Sequence, residues 1–175
     1  MFPVITSGNC QWNKDSTGVY YITYDKSYRP YKLWYYNLKN NTHKCVFTEK
    51  NQEQFLYISG VESGDHLLLY SESYSENEVY VVCNDSVTKI FKRKNNVMYS
   101  VCHLHSTWFI LKADKDNYKV YSSNDLRKLT FLFGNIKKHI FDKDSLFLKG
   151  NYLCLTYKES ATNMMIYNIC TKELK

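Results

Sequence analysis

The densest group of chemically versatile side chains is Cys102-His103-Leu104-His105, which places one thiol and two imidazoles within four residues. In a β-strand successive side chains point to opposite faces, so Cys102 lies on one face and the two histidines lie on the other. Two histidines fall short of the three or four ligands that a zinc site requires. A Cys–His nucleophilic pair needs spatial evidence that a sequence does not supply. We interpret the segment as a strand followed by a turn, and we predict neither a metal nor a cofactor.

Charged residues beside predicted turns form the second group of candidates. The acidic residues near the starts of predicted strands are Glu49, Glu53, Glu62 and Asp65. Solvated turn carboxylates are the simplest interpretation, and ties between neighbouring sheets are the alternative. Arg29 precedes Pro30, which imposes an extended or turn geometry on the residue before it. The planar fork of Arg29 suits carboxylates of a neighbouring strand or a partner domain. We select Arg29, Glu49 and Glu53 as candidates for tying sheets together or contacting another domain.

The composition favours a β-rich protein. Aromatic residues make up 17% of the 175-residue chain and Tyr occurs 17 times, whereas Gly occurs 6 times and Pro 2 times. Tyr, Val, Ile, Phe and Thr suit half-buried pleated surfaces, so we predict strands rather than helices. The segment YYITYDKSYRPYKLWYYNL, residues 20–38, resembles a stacking platform for a ligand, but we expect it to form core between sheets. We expect the same buried position for Trp12, Trp34 and Trp108.

Charge and cysteine usage exclude several classes of function. The formal net charge is +6, and the 23 basic residues include only three arginines and are mostly scattered. Nucleic-acid surfaces favour clustered Arg with interleaved aromatics, so we predict no nucleic-acid binding. The 6 cysteines show no CxxC spacing, and we interpret them as buried free thiols in a reducing compartment. No signal peptide is apparent and no apolar run approaches about 18 residues, so we expect a cytoplasmic protein without membrane contact.

Short strand-like runs separated by polar turns recur along the whole chain. They fall into four groups, at residues 1–50, 54–94, 97–134 and 139–175, and the last group lacks its outer strand. We predict a strand over residues 126–134 at the end of the third group and one over residues 139–150 at the start of the fourth. Four strands per unit, at a spacing of roughly 40–48 residues, match the blade of a β-propeller. We therefore predict an all-β fold: one partial β-propeller domain over residues 1–175, with about three to four antiparallel blades of four strands.

The segment WNKDSTGVYYITYDKSYRPYKLWYYNL, residues 12–38, resembles a propeller blade of the prolyl oligopeptidase family. The matching positions are Trp12, Asp15, Gly18, Asp25, Arg29 and Pro30. An Arg-Pro pair before the second strand is similar to the oligopeptidase B branch. The resemblance continues in the same order through FTEKNQEQFLYISGVESGDHLLLYSESYSENEVYVV and FKRKNNVMYSVCHLHSTWFILKADKDNYKVYSSN. It covers most of the chain.

The sequence departs from this family in two respects. The Asp-Gly turn is lengthened to Asp15-Ser16-Thr17-Gly18, and the third unit has no Gly in HLHSTWF. The family's nucleophile lies in a G-x-S-x-G-like elbow, followed by Asp and His in that order. In SGVESG, residues 59–64, Glu62 occupies the nucleophile's place. We therefore name no catalytic residue in this chain.

The resemblance implies a gating role. It implies that the chain is the propeller fragment of a serine oligopeptidase, which admits short peptides and excludes folded proteins. The partner would be an α/β-hydrolase catalytic domain that supplies Ser, His and Asp from another segment. The alternative is a stand-alone, non-catalytic propeller-like module for protein interaction.

Overall fold

The computed structural model describes residues 5–83, 86–114, 117–136, 145–158 and 162–175. The described part contains fifteen β-strands in four antiparallel sheets, each of which pairs strands consecutive in the chain. Three sheets have four strands and one has three. The predicted fold class, an all-β partial β-propeller, is confirmed. The described residues form no helix long and apolar enough to cross a membrane.

The chain forms two compact units, Met1–Arg93 and Lys94–Lys175. Each unit contains two of the four sheets. The assignment of a single domain to residues 1–175 stays a prediction.

The first sheet contains four strands joined by polar turns. They are β1 (Thr6–Trp12), β2 (Gly18–Tyr24), β3 (Pro30–Asn37) and β4 (Thr42–Thr48). An Asn or Asp side chain begins each turn: the Asn13 carboxamide oxygen accepts the backbone N–H of Gly18 at 3.0 Å, and that of Asn37 accepts Lys39 N–H at 2.9 Å. Such side chains replace backbone acceptors locally, which ends a strand and reverses the chain.

The second sheet contains β5 (Phe55–Gly60), β6 (Leu67–Glu72), β7 (Asn77–Cys83) and β8 (Ser86–Phe91). It packs against the first sheet through alternate residues of their strands. The shared core consists of Tyr20, Ile22, Leu33, Leu56, Ile58, Leu69, Tyr80 and Val82. Since each of these side chains is almost completely buried, this core supplies most of the free energy that holds the first unit together.

The second unit contains two sheets around its own core. The third sheet is formed by β9 (Val97–Leu104), β10 (Thr107–Asp114), β11 (Asn117–Ser123) and β12 (Thr130–Ile136), and the fourth by β13 (Leu146–Lys149), β14 (Tyr152–Lys158) and β15 (Thr162–Asn168). The core residues include Phe109, Leu111, Tyr118, Val120, Phe133, Leu153 and Leu155.

The last strand of the third sheet begins later than the sequence indicated. We predicted a strand over residues 126–134, but β12 spans Thr130–Ile136. The preceding residues form a turn, in which Ser123 Oγ accepts Leu126 N–H at 3.0 Å and Asp125 Oδ1 accepts Arg127 N–H at 2.9 Å. Leu126 has a φ of 63°, which is incompatible with a strand.

Within the described residues the fourth sheet has three strands, and its edge strand is followed by a short return of the chain. Ile166 and Lys175 exchange two backbone hydrogen bonds of 2.8 Å, and Tyr167 pairs with Leu174. Residues 139–144 of the predicted first strand of this group lie outside the described residues.

The predictions that the three tryptophans and the six cysteines are buried are wrong in part. Trp12 is 58% exposed, because it ends the edge strand β1, whereas Trp34 is half-buried and Trp108 is buried. Only Cys102 and Cys154 are buried, and the other four cysteines are exposed on edge strands, at the end of β7 and in a turn. All six are free thiols, as predicted.

We predict that Gly134→Ala lowers the free energy of unfolding by about 3 kcal/mol. Gly134 has a φ of 139°, and a Cβ there would overlap the Tyr118 carbonyl oxygen and lie 2.8 Å from Lys119 Cα. The matched control is Gly150→Ala, with a φ of 56° and open space, which should lose about 1 kcal/mol. Urea unfolding of both variants measures the difference, and equal losses would contradict this account.

Candidate functional site

The candidate site is the 49–54 connection, the six residues that lead from β4 of the first sheet to β5 of the second. Polar side chains hold this connection at both of its ends. Arg29 contacts the later end: its Nη1 donates to the carbonyl oxygens of Asn51 at 2.8 Å and Gln54 at 3.1 Å. Arg29 comes from the β2–β3 turn, so it ties the first sheet to the start of the second.

Asp25 orients the Arg29 guanidinium. Asp25 Oδ2 accepts Arg29 Nε at 2.9 Å, while its Oδ1 accepts the backbone N–H groups of Ser27 at 2.8 Å and Arg29 at 3.1 Å. Desolvation acts to raise the pKa of the Asp25 carboxyl. The backbone N–H donors and the guanidinium outweigh it and hold that pKa below its ordinary value. The carboxylate therefore stays charged and fixes the Arg29 fork.

Glu49 holds the earlier end of the connection. Its side chain is 8% exposed and accepts the hydroxyl of Ser71 on β6 and the Asn51 backbone N–H at 2.7 Å. Arg93 Nη2 donates to Ser71 Oγ at 2.9 Å and lies 3.7 Å from Glu49 Oε2. The Glu49 carboxylate, which follows the last strand of the first sheet, is therefore paired with Ser71 in the second sheet and with Arg93 just after it.

Arg93 also lies beside two further carboxylates, those of Glu76 at 3.8 Å and Glu78 at 3.9 Å. Glu78 accepts the Tyr80 hydroxyl at 2.5 Å and Lys89 Nζ at 3.1 Å. Desolvation acts to raise the pKa of Glu78, but the hydrogen bonds from Tyr80, Lys89 and the Arg93 backbone lower it below its ordinary value. Burial and the Glu78 carboxylate raise the pKa of Tyr80. The Glu78 carboxylate therefore stays charged within a hydrogen-bonded network.

The side chains of this network are engaged in hydrogen bonds and ion pairs with one another. The Ser71 hydroxyl, which lies beside the Glu49 carboxylate, is 0% exposed and already hydrogen-bonded to Glu49 and Arg93. A serine nucleophile must reach a substrate carbonyl. Because Ser71 is fully enclosed, the network positions the 49–54 connection without offering a nucleophile.

The three residues selected from the sequence, Arg29, Glu49 and Glu53, lie in the 49–54 connection or contact it, but their environments differ. Arg29 and Glu49 contact opposite ends of the 49–54 connection. Glu53 is exposed in the same connection, and its backbone N–H donates to Asn51 Oδ1 at 3.0 Å. The roles of the three as sheet ties or domain contacts stay a proposal.

Asn9 is a further inter-sheet contact that the sequence did not reveal. Its side-chain amide donates to the Ile58 carbonyl at 3.0 Å and accepts the Ile58 backbone N–H at 2.7 Å. The amide thus pairs with β5 as a backbone group would. An Asn in a strand-like segment carries no sequence signal for such a distant partner.

The remaining candidates from the sequence lie in strands and turns of the fold. Cys102 and His103 are buried in β9, with the His103 ring 4.4 Å from that of Trp108, and His105 lies in the following turn. SGVESG forms the end of β5 and a hairpin turn, where Gly64 N–H donates to the Val61 carbonyl at 2.9 Å. Among the described residues, no three His, Cys, Asp or Glu side chains are grouped to hold a metal ion.

We predict that Glu49→Ala lowers the free energy of unfolding by about 2–3 kcal/mol, because it removes a partner of the buried Ser71 hydroxyl and of the half-buried Arg93 guanidinium. The control is Glu53→Ala in the same connection, which should change stability by less than about 0.5 kcal/mol because Glu53 is exposed. Chemical denaturation compares the two. A similar effect of both changes would show that the Glu49 contacts contribute little.

Comparison with known proteins agrees with the β-propeller fold. The profile of the family described as the prolyl oligopeptidase N-terminal β-propeller domain matches residues 4–168. Protease 2 of Moraxella lacunata is 27% identical over 110 residues, which cover 59% of this chain and 16% of that protein.

Two solved structures share the fold. Oligopeptidase B from Leishmania major has a TM-score of 0.81 at 18% identity, over 97% of this chain and 26% of that one. Oligopeptidase B from Trypanosoma brucei, in a closed form with covalently bound antipain, has a TM-score of 0.76 at 17% identity and the same two shares. The chain therefore spans about a quarter of these structures. Since the family profile matches nearly its whole length, the chain belongs to the prolyl oligopeptidase N-terminal β-propeller family.

Proposed function

We propose that this chain is the substrate-filtering propeller portion of a serine oligopeptidase similar to oligopeptidase B. The observation that carries the proposal is the match of the family's propeller profile to residues 4–168. In this function the propeller covers the catalytic centre, admits short peptides and excludes folded proteins. The chain spans 16% of Protease 2 and 26% of the oligopeptidase B structure from Leishmania major, so the catalytic part belongs to another segment.

The chemistry assigned to that segment is acyl transfer by a Ser–His–Asp triad in an α/β-hydrolase domain. This chain covers the catalytic centre and excludes folded proteins from it. The hydrogen bonds that join Glu49, Ser71 and Arg93 support a rigid scaffold of this kind. Exposed Glu53 is our candidate for contact with the hydrolase domain, while Arg29 and Glu49 tie the two sheets of the first unit.

We assign the protein to the cytoplasm, without nucleic acid or membrane as a partner. The six free cysteines support a reducing compartment. The scarcity of arginine, with three residues, argues against a phosphate-binding surface. The competing function is a stand-alone interaction module, and the following experiment separates the two.

The test recovers the native product with an antibody raised against the recombinant chain and treats it with a fluorophosphonate probe, which labels active serine hydrolases. We expect a labelled hydrolase polypeptide in the recovered material, together with cleavage of short fluorogenic peptides and no cleavage of a folded protein substrate. The recombinant 175-residue chain is the control and should stay unlabelled and inactive.

Two results would contradict the proposal. Recovered protein with neither label nor peptide cleavage would favour the interaction module. Labelling of the recombinant chain itself would show that the catalytic residues lie in this segment.

A further inference from the structure

The turn between β3 and β4 carries the tripeptide Asn40-Asn41-Thr42. Asn-x-Thr, with any residue except proline in the middle, is the pattern of acceptors for N-linked sugars, and it functions only on an accessible surface. All three residues are exposed. A tripeptide of this kind also arises by chance, so the shape of the turn decides whether it can act as an acceptor.

The backbone of this turn is fixed without the Asn40 side chain. Asn37 Oδ1 accepts the backbone N–H groups of Lys39 at 2.9 Å and of Asn40 at 3.3 Å. The Tyr36 hydroxyl donates to Asn41 Oδ1 at 2.8 Å, and Asn41 has a φ of 54°, in the left-handed region that Asn tolerates better than most residues. The Asn40 carboxamide is therefore presented on a hydrogen-bonded turn.

The Asn40 carboxamide contacts the hydroxyl of its own tripeptide. Its Oδ1 accepts the Thr42 hydroxyl at 2.6 Å. Such a bond holds the carboxamide in one orientation and draws electron density toward Oδ1, which makes the Nδ2 protons more acidic. A sugar transferred to Nδ2 replaces one of these protons. The two outer residues of the tripeptide are thus already arranged as an acceptor and its orienting hydroxyl.

The turn lies away from the part of the chain that we assign to domain contact. β4 is an edge strand of the first sheet and has 7 residues, so the turn at its start is about 20 Å from the 49–54 connection at its end. Glu53, the proposed contact with the hydrolase domain, lies in that connection. A hydrolase domain at that end of the sheet leaves the β3–β4 turn accessible.

We propose that Asn40 is the acceptor for N-linked glycosylation by a transferase that uses a glycosyl diphosphate. In the transfer, a bond forms between Asn40 Nδ2 and the anomeric carbon of the sugar, and the bond from that carbon to the diphosphate oxygen breaks. The diphosphate leaves with both bonding electrons, and the Nδ2 proton passes to a base of the transferase. Thr42 is a positioning residue, which acts through its hydrogen bond to Asn40 Oδ1.

Two donors share this chemistry. One is a nucleoside diphosphate sugar, which is soluble in the cytoplasm and supplies a single sugar. The other is an oligosaccharide linked through diphosphate to a lipid of the secretory compartment. Our assignment of the protein to the cytoplasm favours the nucleoside diphosphate sugar. Glycosylation of Asn40 does not depend on the proposed peptidase function.

The first test examines the native product, recovered with the antibody described above. Chymotryptic cleavage after Leu38 and Phe47 releases the peptide of residues 39–47 for mass spectrometry. We expect the added mass of one hexose, located by electron-transfer fragmentation on Asn40 and not on a lysine. Asn41 in the same peptide is the internal control, because Asn41-Thr42-His43 is not an acceptor pattern.

Two other results are informative. An oligosaccharide on Asn40 that begins with an N-acetylhexosamine would also support the site, but it would contradict the cytoplasmic assignment. An unmodified Asn40 throughout the recovered product would overturn the proposal, with or without peptidase activity in the same material.

Three variants of the full product, made in the cells that produce it, test the role of the tripeptide. Asn40→Gln removes the acceptor and should carry no sugar. Thr42→Val keeps the shape of the side chain but removes the hydroxyl, and occupancy at Asn40 should fall about tenfold, the factor that one hydrogen bond of ordinary strength represents. Thr42→Ser keeps the hydroxyl and should retain most of the occupancy.

A cooperative thermal melt of each variant shows that it folds, as expected for changes in an exposed turn. Equal occupancy in Thr42→Val and in the unchanged sequence would contradict the positioning role of the Thr42 hydroxyl.

Discussion

We propose that the arrangement of the first unit depends on one interaction, the pairing of Glu49 with Ser71 and Arg93. Apolar burial between its two sheets supplies most of the stability, but it is non-directional and fixes no position along the strands. Buried polar groups are directional, because a misplaced carboxylate or guanidinium is left unsatisfied at a cost of about 1–3 kcal/mol or more. In this proposal, Glu49 at one end of the 49–54 connection and Arg29 at the other define how the second sheet follows the first.

The strands and their sequential pairing could be predicted from the sequence, because alternating apolar residues and polar turns are local signals. The Arg29–Pro30 pair marked a turn for the same reason. Partners distant in the chain could not be predicted: Ser71 and Arg93 carry no pattern that points to Glu49, and neither does Ile58 to Asn9. The late start of β12 arises from side-chain hydrogen bonds of Ser123, which compete with strand pairing in a way that residue type alone does not decide.

The two faces of the first sheet show how one segment serves two purposes. Tyr20 lies in the core between the two sheets, while the hydroxyl of Tyr21, the next residue, lies 2.8 Å from His43 Nδ1. In the proposed function, the chemistry belongs to a separate hydrolase segment, and this chain supplies rigidity and selection.

A double-mutant cycle between Glu49 and Arg93 tests the central claim most directly. Glu49→Gln, Arg93→Met and the combined variant are unfolded with urea at neutral pH. The account predicts a coupling free energy of about 1–3 kcal/mol, because the two side chains share one buried network. Additivity within about 0.5 kcal/mol would show that the two residues act independently and that the network does not hold the sheets together.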